Sequence, residues 1–291
     1  MKQIPSSELI VNPDGSIFHL HLRPEQLADR IVLVGDPGRV ETVASRFETI
    51  ESRTANREFV SATGVYRGKR LTVLSHGIGT DNIDIVMTEL DAQANIDLAS
   101  RTVKPERKKL YLVRLGTSGA LQADLRLGGL ILAETSVGFD GLLNFYAGRD
   151  AVCDLEMEAA FVRAMEWDAR LASPYFVHSS RLLNDRFRAF TVPGITISAP
   201  GFYGPQGRTV RLASVDGEMN RKLEAFRYNG RRITNYEMES SALAGLAALL
   251  GHEATTICTV IAQRIAGESD TDYQPFVQRM IELALNQLVE L

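Results

Sequence analysis

The chain has 291 residues, of which 45% are apolar and 23% charged. That composition excludes a disordered or fibrous protein and supplies enough apolar residues for a sizeable core. A formal net charge of −4 and a pI near 5.8 leave no basic footprint for nucleic acid, and the most apolar stretch, 242–250, falls far short of the ~20 residues of a membrane-spanning helix.

The opening decapeptide MKQIPSSELI lacks the apolar run of a signal peptide. Cys153 and Cys258 form no CxxC pair and no metal-ligand spacing. A reducing, cytoplasmic location is therefore expected, with neither a disulfide framework nor a metal site. The 32 basic residues divide into 26 Arg and 6 Lys. The bias fits phosphate handling by bidentate guanidinium groups, but on composition alone genome composition is the better explanation.

In chain order, Val-, Ile- and Leu-rich runs at 31–34, 71–74, 110–113 and 255–261 predict buried strands. Segments 57–66 and 69–75 surround Arg67-Gly68, a predicted hairpin turn. Helical periodicity covers 82–94, 156–170, 239–250 and 274–291, with Gly251 a natural C-terminal cap of the third. The charged stretch 101–109 reads as a surface connection and 194–208 as a Gly/Pro-containing loop, neither with the composition of a linker. Alternating strands and helices predict one α/β domain with a largely parallel or mixed sheet.

Ligands of open α/β sheets gather at strand carboxyl ends, and several unusual segments fall there. In Gly35-Asp36-Pro37-Gly38-Arg39, Asp36 can cap a helix that starts at Pro37, while Gly35 and Arg39 hold an oxyanion; the plain alternative is a strand-to-helix turn. In Arg114-Leu115-Gly116-Thr117-Ser118-Gly119, read as a loop, an Arg beside a buried strand needs an anion, either a ligand or a neighbouring carboxylate. His76-Gly77-Ile78-Gly79-Thr80 lacks the third glycine and the distal acid of a dinucleotide fingerprint, which argues against a nicotinamide cofactor. In Asn235-Tyr236-Glu237-Met238-Glu239-Ser240 the carboxylates either serve a helix dipole or accept a sugar diol, with Met238 as an apolar wall. Phe202-Tyr203-Gly204-Pro205-Gln206-Gly207-Arg208 offers an aromatic face, an amide and a guanidinium to a planar heterocycle, or is a surface loop.

GDPGRV, NREF, RLGTSGA, FYGPQGR and NYEMES occur in the order and approximate spacing of the uridine phosphorylases, so that from about Phe18 onward the chain resembles this pyrimidine-specific branch of the nucleoside phosphorylase family. The resemblance implies a single domain over 1–291, with 1–17 as an N-terminal extension. It also implies a three-layer α/β/α fold around a central mixed, partly barrel-like sheet. Carried over residue by residue, it assigns Gly35, Arg39, Arg57, Arg114 and Thr117 to phosphate, with Arg57 reaching the neighbouring subunit's phosphate. It assigns His19, donated across the same interface, with Glu237, Met238 and Glu239 to ribose, and Phe202, Gln206, Arg208 and Arg264 to the base. Arg114, Gln206 and Arg208 are the implied catalytic residues.

The implied reaction is phosphate-dependent cleavage of uridine, or of deoxyuridine or thymidine, with inorganic phosphate as co-substrate and no cofactor. The implied assembly is a homo-oligomer, at least a dimer with shared sites; dimers and hexamers both occur in such proteins. Purine-specific relatives carry a Ser-Asp pair where this chain reads Thr259-Val260-Ile261-Ala262-Gln263-Arg264, without an acid. Gly38 stands where an Asp is common, Asn82 where a cation-site Ser is frequent, and 176–200 aligns poorly. A nucleosidase, a purine nucleoside phosphorylase and a non-catalytic nucleoside-binding protein are the competing readings.

Overall fold

The computed structural model describes residues 3–291. Its first half runs β1 (Arg30–Val34), α1 (Pro37–Ala44), β2 (Thr49–Asn56), β3 (Phe59–Tyr66), β4 (Lys69–Ser75), α2 (Thr80–Asn95), the short β5 (Ile96–Asp97) and β6 (Thr102–Val103), β7 (Tyr111–Ala120) and β8 (Leu130–Gly138). Next come α3 (Leu155–Met165), β9 (Tyr175–His178), α4 (Arg181–Phe187), β10 (Val192–Ser198), α5 (Met219–Ala225) and β11 (Arg227–Tyr228). The chain finishes with β12 (Arg231–Glu237), α6 (Ser240–Leu250), β13 (Glu253–Gln263), β14 (Glu268–Ser269) and α7 (Gln274–Leu288).

One mixed sheet has the order β11-β12-β10-β8-β13-β7-β1-β4-β3-β2. An additional antiparallel pairing of β12 with β7, Tyr236 opposite Gly119, closes β7, β12, β10, β8 and β13 into a five-stranded barrel. β1 is parallel to β4 on one side and β7 on the other, which its continuous apolar run anticipates. Its alternation feeds two cores: Ile31 and Leu33 pack with α2 and α6, whereas Val32 and Val34 pack with α1, α4 and α7. A third cluster of Met157, Phe161, Phe176 and Ile197 fills the space under α3. The architecture is therefore helices on both faces of a sheet that is barrel-like at one end. Among the described residues no helix is long and apolar enough to cross a membrane.

The hairpin turn lies where the sequence places it. Arg67 (φ 49°) and Gly68 (φ 71°) both adopt the left-handed region that a tight antiparallel two-residue turn demands. Gly251 (φ 82°) closes α6 as expected.

Two expected loops are strands. Segment 114–119 continues β7, its residues pairing with 256–262 of β13. Gly116 and Gly119 are close-packing positions rather than turns: a Cβ on Gly116 would lie 2.8 Å from Arg114 Nη1, and one on Gly119 3.3 Å from Arg264 Cγ. Likewise the first part of 194–208 belongs to β10, and only the portion after Ser198 is loop. A Cβ on Gly194 would lie 2.2 Å from Thr234 Cγ2 at a register shift, so this glycine serves inter-strand contact. The helix expected to reach residue 170 ends at Met165, because Glu166 turns left-handed (φ 49°).

Candidate active site

The carboxyl ends of β1, β4, β7, β12 and β13 open into a cleft of about 1220 Å³. Gly35, Asp36 and Arg39 line it after β1, and Gly77 and Ile78 after β4. Thr117 and Ser118 come from β7, Glu237, Met238 and Glu239 from the β12–α6 corner, and Phe202, Gln206 and Arg208 from the loop after β10. Arg264 and 267–271 close the far side. All the site residues expected from the sequence share this one cleft except His19 and Arg57, which lie outside it.

At the first corner Asp36 accepts the Gly38 N–H at 2.9 Å and Pro37 begins α1, as expected. Arg39 folds back to donate to the Leu115 carbonyl at 3.2 Å. It has no carboxylate partner among the described residues, and burial, together with the charge of Arg114, lowers its pKa against the pull of Asp36.

Arg114 is buried and fully engaged. Its Nη1 lies 2.8 Å from Glu237 Oε2 and its Nη2 bonds Glu239. Its Nε donates to His76 Nε2 at 3.2 Å, and Nη1 also faces Cys258 Sγ at 3.8 Å. Burial disfavours its charge, but Glu239 and Glu237 more than offset that and raise its pKa. The anion beside Arg114 is thus, in this structure, a pair of carboxylates, one of the two partners the sequence leaves open.

The two carboxylates divide their work. Glu237 caps α6, accepting the N–H groups of Glu239 and Ser240 at 2.9 Å, and also accepts the Ser198 hydroxyl at 2.6 Å. Glu239 makes no cap bond; it accepts the Gly79 N–H at 2.7 Å. Burial raises the Glu239 pKa, Arg114 opposes the rise, and the neighbouring Glu237 adds to it. Glu239 carries the fewer donors and keeps the greater acceptor capacity for a hydroxyl.

At the opposite side Arg208 stacks on Phe202, 3.8 Å from its ring centroid, and donates to the Phe202 carbonyl at 2.6 Å and to Gln206 Oε1. Burial and the charge of Arg264 bring its pKa down to about 10. Arg264 lies 5.9 Å above the Tyr236 ring, with a buried Nη1 that has no hydrogen-bond partner. Neither guanidinium has a carboxylate partner among the described residues.

His19 and Arg57 gather elsewhere. The His19 Nδ1 is 2.6 Å from Glu89 Oε1, and Asn56 Nδ2 donates to the His19 carbonyl at 2.8 Å. That bond brings the β2–β3 turn, with exposed Arg57 at φ 54°, beside His19.

Sequence reasoning misses His76, Tyr236, Cys258 and Ser198 as supports of the site. His76 is visible in the glycine motif that fails as a fingerprint, whereas the others become neighbours only on closure of the barrel.

Residues 29–291 match the family described as the phosphorylase superfamily. The chain is 30% identical over 265 residues to the uridine phosphorylase of Escherichia coli, covering 87% of this chain and 88% of that one. It is also 30% identical over 275 residues to a DeoD-type purine nucleoside phosphorylase of Myxococcus xanthus, covering 92% and 95%. In structure it is similar to a Trypanosoma brucei nucleoside phosphorylase described as showing uridine phosphorylase activity, with a TM-score of 0.88, 28% identity, and 97% and 100% of the two chains covered. With a family match across nearly its whole length, the chain belongs to the phosphorylase superfamily.

Proposed function

We propose that this protein cleaves uridine with inorganic phosphate, yielding uracil and ribose 1-phosphate, with deoxyuridine and thymidine as further candidate substrates. The observation that carries the reading is the order of charges along β7. Arg39 abuts the strand at Leu115, and Arg264 and Arg208 approach it at Gly119, with Glu237 and Glu239 on Arg114. At ~3.3 Å per residue the two ends are about 13 Å apart, the span of a phosphate, a pentose and a base in line. The E. coli and T. brucei relatives support the same reading.

In this scheme phosphate sits against Gly35, Arg39 and Thr117, with the fixed charge of Arg114 behind it. Glu239, Glu237 and Met238 receive the ribose. A phosphate oxygen bonds to C1′ as the C1′–N1 bond breaks, through an oxocarbenium-like transition state, and the bond's electron pair leaves on uracil. Gln206, Arg208 and Arg264 stabilise that developing anion, as an oxyanion hole does, and Phe202 stacks on the ring. Solvent then supplies the proton at N1. Arg57 of the partner subunit completes the phosphate site and His19 of the partner subunit the ribose site, so the smallest active species is a homodimer. Their position beside each other and outside their own chain's cleft supports this assignment. A cytoplasmic location fits the two free cysteines.

The DeoD-type relative favours a second substrate class, purine nucleosides, and against it stands the absence of an acid from 259–264. One assay separates the readings: free base released from uridine, thymidine and inosine, with and without phosphate. Release from uridine only with phosphate is the expected result. Release from inosine alone would transfer the activity to purines, and release without phosphate would make the protein a nucleosidase.

A further inference from the structure

His76 belongs to a glycine motif that fails as a dinucleotide fingerprint, and the reaction scheme does not use it. It is fully buried, at the first position after β4. Its N–H donates to the Val34 carbonyl at 2.8 Å, extending the β1–β4 ladder one residue and pinning the backbone. The imidazole lies between two parts of the cleft. Nε2 accepts from Arg114 Nε at 3.2 Å, and Cε1 faces Gly35, where an added Cβ would be 3.7 Å away.

The arrangement around Arg114 gives this contact its meaning. Glu237 and Glu239 hold the two terminal nitrogens, and the face of the guanidinium rests on Gly116. The carboxylates fix the charge, while the plane still needs a third point on the Nε edge. Arg114 already faces two carboxylates, and a third one there would add further negative charge to the cluster and repel phosphate. A neutral acceptor supplies the third point without charge, and burial followed by the proximity of Arg114 and Arg39 keeps the imidazole pKa well below its ordinary value. An Arg N–H donor forces the lone pair onto Nε2 and the proton onto Nδ1.

We propose that His76 is a positioning residue for phosphorolysis: as a neutral acceptor on Arg114 Nε, beside Gly35, it locks the guanidinium plane that orders the phosphate and ribose subsites. The inference rests on the phosphorylase reading above for its substrates, but its geometry concerns this chain alone.

The test compares His76→Leu, which removes the acceptor, with His76→Gln, whose Oε1 can replace it. Three readouts are taken: calorimetric titration with inorganic phosphate, steady-state uracil release with each substrate varied, and thermal melting. A buried N–H of a charged group left unsatisfied is costly enough that H76L should lose about tenfold in phosphate affinity and at least as much in kcat. H76Q should recover most of both, and recovery in step with the acceptor is what a merely structural role would not give. If H76L does not fold, His76→Met, of similar volume and equally without a strong acceptor, carries the comparison. A folded H76L or H76M with wild-type phosphate affinity and kcat overturns the inference, as does an H76Q no better than H76L. A wild type that binds phosphate yet releases no uracil overturns the functional reading instead, and the phosphate titrations still decide the role of His76.

Discussion

Replacing Arg208 with alanine removes a guanidinium that the protein holds at a cost. It lies on the Phe202 ring, shares the cleft with Arg264, and has no carboxylate among the described residues to offset burial. The depressed pKa, about 10, still leaves it charged at neutral pH. In the proposed scheme it meets a negative charge that exists only during the reaction. Removing one donor from such an arrangement costs about 2.7–4 kcal/mol of barrier, or about 10²–10³ in kcat. Because Arg39 and Arg114 lie toward the other end of β7, the KM for phosphate should stay within about twofold of wild type. Thermal stability should hold or rise, since the variant loses a repulsion and a desolvated cation. The sign of the pH effect follows from the same pKa. A cation with its pKa lowered on folding is lost as pH climbs through about 10, so wild-type kcat should fall on that alkaline limb and the R208A profile should lack it. The assay is steady-state uracil release with both substrates varied, alongside melting curves. A variant that keeps kcat and raises only a KM would refute the assignment.

Arg39→Ala should raise the KM for phosphate by tenfold or more with a smaller effect on kcat, read from the same kinetics, because in the proposed scheme its guanidinium holds phosphate in both ground and transition states. At phosphate concentrations below the raised KM, mixed dimers of R39A and Arg57→Ala should be more active than either parent, since under the proposed sharing one of the two sites is then intact; no recovery after demonstrated subunit exchange would count against sharing. Arg114→Leu should destabilise folding by about 3–5 kcal/mol in urea melts at pH 8, the cost of stranding buried carboxylates. Glu239 already has a raised pKa that Arg114 holds back, and a group whose pKa rises on folding loses stability as pH rises through it. The deficit of R114L should therefore shrink at pH 5, and a deficit that is the same at both pH values would contradict the pairing.

Much of the scaffold was legible locally. The apolar run of β1, the Arg67-Gly68 turn and the Asp36-Pro37 helix start each follow from rules that span a few residues. The errors share a cause. Gly116 and Gly194 are where a side chain or a strand approaches too closely for a Cβ, and Gly119 is where the approach is tight, yet within a sequence window a glycine reads first as a turn. The partners of Arg114 were beyond local rules as well. Glu237 and Glu239 reach it because β12 pairs with β7, and periodicity does not state which strands become neighbours. The cleft was legible because motifs at strand ends converge in an α/β sheet. The ion-pair network inside it is a product of barrel closure.

That network separates two kinds of arginine that the sequence presents alike. Arg114 has a charge already balanced by two carboxylates, so it cannot move toward a ligand without exposing them, and it serves as a fixed element. Arg39, Arg208 and Arg264 are desolvated and unbalanced, each with its pKa lowered chiefly by burial. An unbalanced cation in a cleft destabilises the empty protein and is relieved by an anion, which is how a site comes to favour ligands that carry or develop negative charge. Phosphate carries such charge before the reaction, and a leaving uracil acquires it during the reaction. In the proposed scheme these charges lie beside the free guanidinium groups at the two ends of the cleft, and the balanced one stands near Arg39 with the carboxylates on it. The overall arginine excess of the chain explains none of this. The deciding property is which guanidinium groups the fold leaves without a partner.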